Sequence, residues 1–61
     1  MNRQEIEGNI RCVEAELQNV RSRIDYASAN TPPKTLEKWR TEYNNLQARL
    51  RDLRNALNRF Y

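Results

Sequence analysis

The sequence predicts an all-α protein, a two-helix antiparallel coiled-coil hairpin that self-associates into a helical bundle. Three observations carry that expectation. Apolar residues recur at alternating steps of three and four through both halves, a diproline separates the halves, and the two stripes mirror one another across it.

The first helix is expected over about 3–29. Ile6, Ile10, Val13, Leu17, Val20, Ile24 and Ala27 follow one another at steps of 4, 3, 4, 3, 4 and 3, which lines them along one stripe of an α-helix. A strand would need period two, which neither half has. Asn2, with Glu5 three residues on, has the form of a capping box at the helix start. Composition agrees, with one Gly and two Pro among abundant Arg, Glu, Leu, Gln and Ala. A chain that is 31% charged with few apolar residues could also be disordered, but two unbroken periodic runs decide for helix.

A turn is expected over 30–34. Asn30 tolerates the left-handed conformation that closes many helices, and Thr31-Pro32-Pro33 cannot continue one. The second helix is expected over about 35–61, where Leu36, Trp39, Tyr43, Leu46, Leu50, Leu53, Leu57 and Phe60 step by 3, 4, 3, 4, 3, 4 and 3. A residue before proline avoids the α region, so Pro32 belongs outside this helix. Its start is either Pro33 at the first helical position or Thr35 as a cap with Glu37 in the first turn.

The linker is short enough to fold the halves together. Pairs such as Ile24/Trp39, Leu17/Leu46, Ile10/Leu53 and Ile6/Leu57 have positions summing to 63, and each joins an a to a d position, as antiparallel packing requires. That register would set Glu16 opposite Arg49, Arg23 opposite Glu42 and Glu7 opposite Arg54, with Arg21 against Arg40 as a mismatch. Exposed pairs of this kind contribute about 0–1 kcal/mol each.

Sixty-one residues allow one domain, 1–61, and a thin one that gains from a partner chain. One cysteine and no histidine leave neither an internal disulfide nor a zinc site of the common kind. A lone free thiol fits a reducing compartment, so a cytoplasmic location is expected. No stretch approaches eighteen consecutive apolar residues, and the polar N-terminus lacks a signal peptide's apolar core; no membrane partner is expected. The opening Met1 and the aromatic end suggest a complete small protein.

Two surfaces remain after the seam is assigned. Gly8, Cys12, Ala15, Asn19, Ser22, Tyr26 and Ala29 again step by 4, 3, 4, 3, 4 and 3 on the side of helix 1 away from the seam, and none is charged. At 31% charge, about two of seven solvated positions would carry one. Small residues let helix backbones approach closely, and a mid-helix glycine costs about 1 kcal/mol unless proximity offsets it. The stripe therefore reads as a contact surface for another copy of the chain (a homodimer or higher) or for a further protein, with Tyr26 as an anchor.

Helix 2 offers the other surface. Residues 34–61 hold seven Lys or Arg against three acids, whereas residues 1–30 hold four against five. Arg40, Asn44, Gln47, Arg51, Arg54, Asn58 and Tyr61 line one flank. Nine of the eleven basic residues are Arg, whose planar fork suits phosphates and carboxylates. Arg40, Arg51, Arg54 and Arg59 are thus the candidates for contact with nucleic acid or another anion; the blander reading is a solvated face neutralised in part by helix 1.

Catalysis finds no support. Glu5 and Glu7, or Glu14 and Glu16, are two apart and diverge on a helix, so they cannot act as an acid/base pair. Cys12 has no histidine to activate it and reads as a small buried or interfacial hydrophobe, while Trp39 and Tyr43 sit on the seam as core. No cofactor or metal is expected. The sequence reads best as a non-enzymatic protein–protein interaction module (an adaptor, regulator or inhibitor) working as a homo-oligomeric hairpin, with a nucleic-acid-binding regulator as the alternative.

Overall fold

The computed structural model describes all residues except 1, 28 and 61, and it is an all-helical hairpin. Helix α1 spans Arg3–Asp25 and helix α2 spans Pro33–Asn58. They pack side by side in a body of 47 × 14 × 14 Å, a length consistent with helices of 23 and 26 residues at about 1.5 Å per residue.

The start of α1 follows the sequence closely. Asn2 is extended (φ −93°, ψ 172°), and its Oδ1 accepts a hydrogen bond of 2.8 Å from the backbone N–H of Glu5. That contact satisfies one of the donors a helix start leaves without a partner. Arg3 Nε then donates to Glu7 Oε1 at 2.9 Å, one turn along.

The end of α1 is a correction. Helix was expected to about residue 29 with Asn30 in the left-handed region, yet α1 stops at Asp25 and no described non-glycine residue has positive φ. Tyr26 sits at φ −97°, ψ 8°, its N–H donating to the Ser22 carbonyl at 2.9 Å, and Ala27 N–H reaches Ile24 at 3.3 Å. The helix tightens and lets go. Beyond Ile24 the periodic position is only an alanine, which offers little burial to hold another turn. Stopping early also frees residues 26–32 to cross between the helices, within the usual length of such connections.

Of the two starts left open for α2, Pro33 at the first helical position is the one adopted, two residues ahead of the expected start. Pro32 remains outside, at φ −59°, ψ 140°. Its carbonyl accepts from Thr35 N–H at 3.0 Å and Leu36 N–H at 3.2 Å, and no side chain caps the helix. Proline lacks the N–H that this position would leave unsatisfied. The far end closes at Asn58, short of residue 61, with Arg59 and Phe60 N–H groups turned back to Ala56 and Leu57.

Burial along the seam is lopsided. Ile6, Ile10, Val13 and Val20, all from α1, are the buried apolar residues among those described, with Ile6 and Val20 only 2% exposed. Helix α2 buries none completely. Its Leu36, Trp39, Tyr43, Leu46, Leu50, Leu53 and Leu57 are half-buried, as are Leu17, Ile24 and Ala27. The β-branched Ile6, Ile10, Val13 and Val20 are covered, while the Leu, Trp and Tyr side chains of α2 stay partly open to solvent. Phe60, the last member of the α2 stripe, is 49% exposed, although it flanks Ile6 together with Ala56 and Arg59.

Candidate interaction surfaces

The outer face of α1 is laid out by helical spacing. Gly8 is half-buried, while Cys12, Ala15, Asn19 and Ser22 are exposed, so five of the seven stripe residues stand in line within one helix. The other two do not continue it. Tyr26 and Ala29 fall in the connecting segment, because α1 ends at Asp25. Tyr26 is 87% exposed, projecting from the helix end as the most open large apolar side chain among the described residues. A Cβ placed on Gly8 would meet nothing within 4 Å. The hairpin's own packing thus gives no reason for glycine at that position.

The opposite flank of the molecule is electrostatic. Arg40, Asn44, Gln47, Arg51, Arg54 and Asn58 are all exposed along one line of α2; Tyr61, which the sequence placed at its end, lies outside the described residues. Arg54 Nη2 approaches Glu14 Oε2 at 4.0 Å, the one ion pair between helices among the described residues. The sequence instead set Arg54 opposite Glu7. That carboxylate is occupied within its own helix by Arg3, a pair with i,i+4 geometry that needs no cross-helix reach. The anticipated clash of Arg21 with Arg40 is relieved in the same way, since Arg21 Nε turns to Asp25 Oδ2 at 3.8 Å. Neither Glu16 with Arg49 nor Arg23 with Glu42 forms a pair.

Arg51 and Arg54 border an open depression with Leu17, Gln47 and Leu50. Leu50 thus lines the same depression as Leu17, which the mirror pairing set against Leu46. Arg59, grouped with these arginines by its charge, is not with them. It lies 140° around the helix from Arg54 at 100° per residue and borders Ile6 and Phe60 instead. Sequence reasoning also missed that Leu46 borders a depression on the other flank of α2, with Thr41, Glu42 and Asn45. Half-burial of a seam leucine is the signal, and periodicity alone does not carry it.

The single thiol, Cys12, is exposed. Among the described residues no group of three or more His, Cys, Asp or Glu could hold a metal ion, and no helix is long and apolar enough to cross a membrane. No family model matches the chain, and no curated protein or solved structure does so either.

Proposed function

We propose that the protein is a non-enzymatic interaction module that works as a homo-oligomer, with the uncharged outer face of α1 as the surface that meets a second copy. The observation that carries this reading is the amount of surface the hairpin leaves open. Its accessible area is 5009 Å², whereas a compact monomer of 7.3 kDa is expected to expose about 4,200 Å². The excess, roughly 800 Å², is what each partner contributes to an interface of standard size. Among the described residues only four apolar ones are buried, all on one helix, so a second layer would add much to the apolar area removed from water.

The outer face of α1 is the favoured place for that layer. It combines small uncharged residues, a glycine whose Cβ position is open, and the exposed Tyr26 beside its end. An assembled hairpin of this kind acts by presenting its remaining faces to a protein partner, as an adaptor, regulator or inhibitor does.

Sedimentation of the intact chain across about 1–100 μM, the range in which weak homo-oligomers form, tests the reading together with Ala15→Glu. The native chain should run at a multiple of 7.3 kDa. Ala15→Glu should run as a monomer with its helical signal kept, because Ala15 is exposed and glutamate is a good helix former. A native chain monomeric throughout, or a variant that assembles as well as the native, refutes it.

A further inference from the structure

We infer that the flank of α2 carrying Arg40, Arg51 and Arg54 binds the phosphate backbone of a double-stranded nucleic acid, independently of whether the hairpin self-associates. Arg40, Asn44, Gln47, Arg51, Arg54 and Asn58 form one exposed line at steps of 4, 3, 4, 3 and 4, about 27 Å long at the helical rise. No acid falls between Arg40 and Asn58 on it, and Glu37, one turn before Arg40, is the one acid of α2 at its end. The acids that α1 brings to the same side, Glu7, Glu14 and Asp25, each lie by an arginine, at 2.9, 4.0 and 3.8 Å respectively. Two of those arginines, Arg3 and Arg21, belong to α1 itself, so its acids cancel little of the charge on α2. Arg40 and Arg51 have no ion pair or hydrogen bond among the described residues, and Arg54 has only the long contact to Glu14. Their guanidinium forks are available for phosphate oxygens.

The composition of the line selects the partner's class. Single strands are held by stacking on aromatic rings, yet the described part of the line has none, and Trp39 and Tyr43 are half-buried in the seam. A bilayer surface calls for exposed apolar residues next to the cations, and a protein partner for an apolar or aromatic anchor at the patch centre; the described part of the line holds neither, and the leucines bordering Arg51 and Arg54, Leu17 and Leu50, are half-buried in the seam. It interleaves arginine with side-chain amides, which donate to phosphates and to base edges alike. A rigid row of such donors suits the regular backbone of a duplex.

Fluorescence anisotropy of a labelled 20-base-pair mixed-sequence DNA duplex, titrated with the native chain at about 50–200 mM salt, tests this directly. Binding should be detectable at the low end. The logarithm of affinity should fall against log salt with a slope of about −3 per bound hairpin, for three neutralised phosphates. The double variant Arg40→Gln, Arg51→Gln should lose at least roughly tenfold in affinity and flatten the slope by about 2. Glutamine keeps the helix propensity, so circular dichroism should be unchanged. Lys38→Gln with Arg49→Gln removes the same charge from the other flank of α2 and should change affinity by less than about threefold. Absence of binding at 50 mM salt overturns the inference. So does an equal loss in the control pair, or tighter capture of a single-stranded oligonucleotide or of anionic lipid vesicles than of the duplex.

Discussion

Gly8 is the residue where sequence and structure together say most. Glycine within a helix interior costs about 1 kcal/mol relative to alanine, and nothing within 4 Å of its Cβ position demands that cost. Gly8→Ala should therefore raise the stability of the dilute, monomeric hairpin by about 0.5–1 kcal/mol, read as a higher thermal midpoint by circular dichroism. If copies meet through this face as proposed, the added methyl should weaken association by holding the two backbones apart. A midpoint unchanged in dilute solution would contradict the first half, and undiminished association the second. Arg54 teaches a different lesson at this scale. Its charge and its flank were legible in the sequence, but its partner was not, because Glu7 has a nearer arginine in its own helix and Glu14 does not.

At the level of the helices, periodicity told almost everything about which residues are helical and little about where helices end. The α1 start was readable because Asn2 and Glu5 carry a side-chain signal with a definite geometry, and the hydrogen bond is present at 2.8 Å. Asn2→Ala should cost about 1 kcal/mol, within a usual range of 0.5–2. Amide hydrogen exchange reads this as faster exchange confined to the first turn, and a uniform increase along α1 would argue against a capping role. The α1 end was not readable. Ala27 fits the 3-4 rhythm, but a rhythm of small side chains brings too little burial to hold a turn, and the connection needed length. Pro32 lies outside α2 as expected, but α1 ends at Asp25, well before Thr31-Pro32-Pro33, and the choice of Pro33 over Thr35 as the start of α2 rested on a hydrogen-bond count that spacing does not encode. The arginine face split for a similar reason. Arg40, Arg51 and Arg54 share a line because their steps are helical, and Arg59 departs from it because its step is not.

Taken as a whole, the molecule is a thin rod whose seam is only partly dry. The mirror of two stripes about a diproline was enough to foresee the hairpin, and α1 and α2 do pack against each other over their length. What the stripes could not convey is the asymmetry of burial, with every buried apolar residue among those described on α1 and none on α2. That depends on how the two helices are set against each other, a tertiary property. It is also the reason a lone hairpin is left with surplus surface, from which the proposal of self-association follows. The native thiol gives a direct probe of where that association occurs, since Cys12 is the chain's one cysteine and lies exposed on the outer face of α1. The decisive measurement is the rate of Cys12 modification by a thiol reagent in excess, followed across the protein concentrations over which mass increases. If copies meet through the outer face of α1, the rate per chain falls as the hairpin assembles. A rate that stays constant through assembly would move the contact elsewhere and contradict the account.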